Sequence, residues 1–176
     1  MIYRYGNDWN IRLHQPIDEI GEQAARERFQ TGPQVSVSKV DAGAGAVPAY
    51  TLILGPGGSH VRVRLYDAQG SVVETYDYSQ VEGEERLFLD NYKQWVYPDD
   101  AAGPQRFSRS VAHKAWVFRQ DGTATCRERV KGTPQDRVSE HRDLDLAGHW
   151  RDRPTFGDWD SFGEQPEPPG LDAAPR

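Results

Sequence analysis

A chain of 176 residues fits one domain plus a tail and is long enough to bury a core. Only 36% of its residues are hydrophobic and mean hydropathy is −0.80, yet 5 Trp, 8 Tyr and 6 Phe argue against general disorder. A net charge of −6 argues against nucleic acid as a partner, since phosphate binding is driven by clustered Lys and Arg. The single cysteine, Cys126, rules out an intramolecular disulfide and a cysteine-based metal cluster. With no charged-then-apolar leader and no apolar run near the ~20 residues a membrane span needs, the expectation is a soluble protein of a reducing cytoplasm.

Met1 to Asn10 is polar and turn-rich but carries Tyr3, Tyr5 and Trp9. Pro16 suits the first turn of a helix, Asp18 and Glu19 suit its N-terminal dipole, and Ile17, Ile20, Ala24 and Phe29 supply an apolar face. Gly32-Pro33 stops it, so the pattern predicts an amphipathic helix over Pro16 to Thr31. The signal then turns to period two. Val35 and Val37 alternate with serines, and Tyr50 to Leu54 is a short apolar run. Val61, Val63 and Leu65 alternate with Arg62 and Arg64, which gives a strand with one dry and one wet face. Asp67 to Gly70 reads as a hairpin turn into Val72 to Tyr78.

Glu85 to Tyr97 is a longer strand candidate, although Phe88, Tyr92 and Trp95 also fit helical spacing in its second half. After a break at Pro98 to Gln105, Ser110 to Arg119 pairs through Asp121-Gly122 with Thr123 to Val130, the clearest hairpin of the chain. Beyond Gly132 the periodicity fades, with one helical turn expected in His141 to Ala147. Successive hairpins without long helices between them favour an antiparallel meander. The expected architecture is α+β: residues 1–162 form one twisted antiparallel sheet of about five to seven strands with the helix on one face. Residues 163–176 form a disordered acidic, Pro-rich tail.

The usual chemical signatures are weak. Gly55-Pro56-Gly57-Gly58-Ser59 lacks the Lys-Ser/Thr of a nucleotide loop and reads as a turn. Among His14, His60, His113, His141 and His149 there is no metal-ligand spacing. No Gly-x-Ser-x-Gly elbow exists, and Cys126 lies mid-strand without an activating neighbour. Glu140-His141-Arg142-Asp143 reads as surface charge, and Asp99-Asp100, Glu84-Glu85 and Asp158 with Asp160 as exposed acidic turns. No catalytic residue, metal or cofactor is therefore assigned.

The aromatics remain. Trp9, Trp150, Phe156, Trp159 and Phe162 sit in polar, Gly/Pro-rich surroundings, so they either lid the core or anchor a partner. Trp9 lies among Asn7, Asp8 and Asn10, and Trp95 precedes Tyr97, Asp99 and Asp100. An aromatic ring flanked by hydrogen-bonding groups is the composition of a protein-interface core.

From Met1-Ile2-Tyr3-Arg4-Tyr5-Gly6-Asn7-Asp8-Trp9 through Arg86-Leu87-Phe88-Leu89-Asp90-Asn91-Tyr92 to the aromatic stretch Trp150 to Phe162, the chain resembles the mycobacterial immunity factors for tuberculosis necrotizing toxin. The resemblance covers overall texture rather than a diagnostic motif. It implies a cytosolic antitoxin, not an enzyme, that forms a 1:1 complex with a secreted NAD+ glycohydrolase and covers its NAD pocket. Acidic loops suit such a target, because a site that holds NAD phosphates tends to be basic. The expected partner-binding residues are Tyr5, Asn7, Asp8, Trp9 and Asn10 in the N-terminal loop, and Trp95, Tyr97, Asp99 and Asp100 after the long strand. Two rival readings stand beside this: a small ligand-binding domain or enzyme using a sheet face around His113, and an assembly protein that self-associates through its aromatics.

Overall fold

A computed structural model describes residues 1–164 apart from residue 44. Residues 165–176, which carry most of the expected acidic tail, lie outside the described residues. The chain opens with β1 (Ile2–Gly6), a small ribbon of β2 (Asp8–Asn10) and β3 (Gln15–Ile17), and the helix α1 (Glu22–Thr31). A meander follows: β4 (Val35–Val40), β5 (Tyr50–Leu54), β6 (His60–Tyr66), β7 (Val72–Gln80), β8 (Leu87–Val96), β9 (Ala112–Phe118), β10 (Ala124–Val130) and β11 (Arg137–His141). The two-residue β12 (Trp150–Arg151) and the short α2 (Asp160–Gly163) close the described part. The main sheet is ten-stranded and antiparallel, in the order β1-β4-β5-β6-β7-β8-β9-β10-β11, with β12 pairing against β8 beside the end of β9.

The main sheet therefore has ten strands where five to seven were expected. The additional pairings come from elements without an alternating apolar signature. β1 lies in the polar N-terminal segment, β12 has only two residues, and β11 holds one apolar side chain, Val138, in a charged edge strand. Charge on an edge discourages pairing with another chain.

The helix starts at Glu22 rather than Pro16. Pro16 instead sits in β3 opposite Trp9, and Asp18 adopts φ 50, a left-handed turn that ends the strand before any helix can start. Ile17 and Ala24 are consequently exposed, and Ala25 and Phe29 form the buried stripe. Gly6 lets the ribbon fold back tightly, because a Cβ there would lie 2.5 Å from the Ile17 carbonyl oxygen. The β8 region is strand throughout, with no helical second half.

Register sorts the side chains into two faces. Tyr5, Val37, Leu52, Val63, Tyr76, Tyr92, Trp116 and Cys126 are cross-strand neighbours along one row, and all are buried. A bulge sustains this row: Asp77 opposes Asn91 but Tyr78 opposes Leu89, which leaves Asp90 unpaired. One extra residue restores the parity, so Leu89 and Tyr92 point to the same side. α1 and the segment from Leu144 to Gly163 cover this apolar face. Phe29 meets Trp159 and Phe156 edge-on at 5.7 and 5.9 Å, and Phe162 packs edge-on against Tyr78 at 5.3 Å. Trp159 is fully buried. Rings of this size stabilise by about 2–3 kcal/mol each on burial. Trp159 and Phe162 are thus core residues, and Trp150 and Phe156 pack against that core partly buried.

The opposite face is polar, with Arg62, Arg64, Lys93, Ala115 and Arg127 on cross-strand positions. Over β4 and β5 it is covered by the β2–β3 ribbon, whose Trp9 is also buried.

Candidate functional site

The ribbon is held on the polar face by charge and hydrogen bonds. Asp8 accepts the Arg64 guanidinium at 2.5 Å and the backbone N–H of Trp9 at 2.7 Å. The Arg4 guanidinium lies over the Trp9 ring, 5.8 Å from its centroid. Asn7 is a junction: its Oδ1 accepts from Arg28 at 2.5 Å, its amide donates to Asp18 at 2.7 Å, and its carbonyl accepts from Gln34. Asn10 caps the turn beyond β2 by accepting the backbone N–H groups of Arg12 and Leu13 at 3.0 and 3.1 Å. Tyr5 is on the other face, buried and stacked on Phe156 at 5.9 Å. Of the five N-terminal candidates, Tyr5 and Trp9 therefore offer almost no surface, and Asn7, Asp8 and Asn10 are only half-buried.

The segment from Trp95 to Ser110 is positioned by three anchors. The Trp95 ring packs against Phe107 at a centroid distance of 4.5 Å. Tyr97 donates its hydroxyl to the Val72 carbonyl at 2.9 Å, and burial pushes that phenol up to about 12. The Gln105 backbone N–H donates to Ser71 Oγ at 3.0 Å. Between these anchors Asp99 and Asp100 are exposed at the tip of a turn closed by the Ala101 N–H on the Pro98 carbonyl.

The expected residues that line cavities fall in three separate ones, none of which joins residues of both expected sets. A cavity of about 430 Å³ is lined by Asp8, Trp9 and Ile11 from the ribbon and by Gln105 to Ser108 from the loop. Trp95, Tyr97 and Asp99 line a second, of about 360 Å³, with the Asp67–Ser71 turn. Asp100 lines a third, of about 580 Å³, together with Arg12. What sequence reasoning missed is Phe107, which is 46% exposed, and the cations of this region. The signal was present as Arg106-Phe107-Ser108-Arg109, between the break at Pro98 to Gln105 and the strand expected from Ser110.

Other candidates find structural roles. His113 lies in β9 opposite Trp95 on one side and Arg129 on the other. The Cys126 thiol is buried, and that desolvation, with Glu128 nearby, raises it to about 11, far from a reactive thiolate. Glu140 and His141 diverge as strand neighbours do: Glu140 accepts from Thr125, whereas His141 stacks near Trp116 at 4.7 Å. Gly57 and Gly58, with φ of 58 and 70, make a tight turn between β5 and β6, and Gly58 is packed beneath Pro154. Ser79, His60 and Asp77 lie in the order of nucleophile, base and acid. Their contacts are 3.4 and 3.9 Å, however, and Arg62 already holds Asp77 at 2.5 Å, so the carboxylate is committed to an ion pair. Among the described residues no group of three or more His, Cys, Asp or Glu could hold a metal ion, and no helix is long and apolar enough to cross a membrane.

No protein-family model matches the chain, and no curated protein or solved structure matches it.

Proposed function

We propose that this chain is an immunity protein that binds a secreted NAD+ glycohydrolase toxin one-to-one in the cytoplasm and inhibits it by occluding the NAD pocket. The observation that carries the reading is the convergence of the N-terminal ribbon and the Trp95–Ser110 loop on one polar sheet face. The resemblance of the sequence to immunity factors supplies the partner class. An occluding inhibitor needs loops that hold their shape before binding, because ordering them on contact costs affinity. The Tyr97–Val72 and Gln105–Ser71 hydrogen bonds and the Trp95–Phe107 packing provide that rigidity. Asp99 and Asp100, exposed at the tip, are the groups suited to enter a basic, phosphate-binding cleft. The half-buried Trp95 lines the same cavity as Asp99, and Asn10 caps the ribbon turn. Asn7, Asp8 and Trp9 hold the ribbon on the sheet, and Tyr5 is buried on the opposite face. Inhibition is steric exclusion, with charge steering the approach.

The test is NAD consumption by the purified toxin domain with this protein titrated in. Full inhibition at an equimolar ratio, with one co-eluting complex, is the expected result. Unchanged NAD turnover and no complex would overturn the reading.

A further inference from the structure

The 580 Å³ cavity beside the loop has an unusual charge balance for a protein of net charge −6. Arg12, Arg106, Arg109 and Lys131 line it, against one carboxylate, Asp100. All four cations are exposed, and none has an ion-pair partner among the described residues. They come from three separate parts of the fold. Arg12 is in the turn between β2 and β3, and Lys131 follows β10, where its backbone N–H is tied to the Val111 carbonyl at 2.7 Å. Arg106 precedes and Arg109 ends a single 3₁₀ turn over Phe107–Arg109, closed by the Arg109 N–H on the Arg106 carbonyl at 2.8 Å. Residues three apart in such a turn project to the same side. Like charges gathered this way repel one another unless an anion joins them, and guanidinium groups match phosphate oxygens in a planar, two-pronged fashion.

The neighbouring 430 Å³ cavity shares the wall Gln105, Arg106 and Ser108, but its other lining includes Trp9, Val72 and Phe107. A basic cavity thus adjoins, across Gln105, Arg106 and Ser108, one that holds Trp9, Ile11, Val72 and Phe107 beside the Asp8–Arg64 ion pair. We propose that the pair is a binding site for a nucleotide-class ligand. Its phosphates lie among Arg12, Arg106, Arg109 and Lys131, and its ring lies against Phe107. This inference is independent of toxin binding, since it concerns the protein alone.

The experiment is calorimetric titration of the full chain with ADP, inorganic pyrophosphate and adenosine. Arg106→Gln/Arg109→Gln is the test variant, and Arg142→Gln, an exposed arginine outside the cavity, is the control. ADP is expected to bind more tightly than pyrophosphate, and adenosine more weakly than either. The double variant should lose at least tenfold in ADP affinity while R142Q retains it. Circular dichroism of the double variant should be unchanged, because both side chains are exposed. Absence of ADP binding at millimolar concentration overturns the proposal, and so does an equal loss in R142Q. Pyrophosphate binding as tightly as ADP removes the ring from it, and a Phe107→Ala variant that binds ADP normally does the same.

Discussion

The C-terminal segment and the Trp95–Ser110 loop are both aromatic-bearing and rich in turns, yet the fold uses them in opposite ways. The first is fastened over the apolar face: Trp159 is fully buried, and Asp160 Oδ1 accepts from Tyr3, Lys39 and Tyr50 at 2.9, 2.8 and 2.5 Å. The second is anchored at its ends but leaves Phe107, Asp99, Asp100 and the cations in solvent. Aromatic content alone does not separate a lid from a contact surface. What separates them is whether an apolar face of the sheet lies underneath.

Three substitutions in the lid probe the first half of this contrast. Removing the Trp159 ring has the largest expected effect. Trp159→Ala should lower stability by about 3–5 kcal/mol, read as a shift of the urea midpoint without a change of slope. A slope that falls sharply would mean the segment detaches on its own. Gly163→Ala comes next. A Cβ at Gly163 would clash with the Tyr50 ring, which is itself almost wholly buried, so α2 must lift. A loss of about 1–3 kcal/mol is expected, and an unchanged midpoint would show that α2 does not seat there.

The third is a pH effect at Asp160. Hydrogen bonds from Lys39 and then Tyr50 hold its carboxyl below the ordinary carboxylate value. A depressed folded value stabilises the protein at any pH above the unfolded carboxylate range, near ~4, and that contribution is lost as pH falls through the folded value. Because the Asp160 side chain is about half exposed, its contribution is about 1 kcal/mol or less. Asp160→Asn should therefore lower stability slightly at pH 7 and flatten its fall below pH 4. Identical acid limbs in the two proteins would show that the clamp does not form in solution.

Sequence pattern located the meander where alternation was strong. β6, with Val61, Val63 and Leu65 against Arg62 and Arg64, and the β9–β10 hairpin around Asp121-Gly122 stand close to where they were expected. It did not show the Asp90 bulge, since an extra residue is defined only against the partner strand. Pro16 fits a helix start and a ribbon strand equally well. Packing of Trp9 on the opposite residue decided between them. Of the residues lining the cavities of the polar face, the sequence singled out Asp8, Trp9, Trp95, Tyr97, Asp99 and Asp100 but not Phe107 or the cations. Arg12 and Lys131 become neighbours only after the ribbon crosses the polar face, and nothing in local spacing records that.

The open half of the contrast is tested by the smallest structural change. Asp99→Ala/Asp100→Ala removes two exposed carboxylates from a turn whose closing hydrogen bond is between backbone groups. Stability should stay within about 0.5 kcal/mol, because neither side chain supports packing. If these carboxylates meet a basic toxin cleft, the double variant needs at least tenfold more protein for half-inhibition of NAD turnover, and association slows more than dissociation quickens. Arg4→Gln is the matched control, since it removes a charge at the ribbon that packs on Trp9 rather than at the tip. Equal inhibition by the Asp99/Asp100 variant and the parent protein would move the contact away from the loop. A loss of inhibition in R4Q alone would place it on the ribbon, where the surface left by Trp9 is that of Asp8 and Asn10.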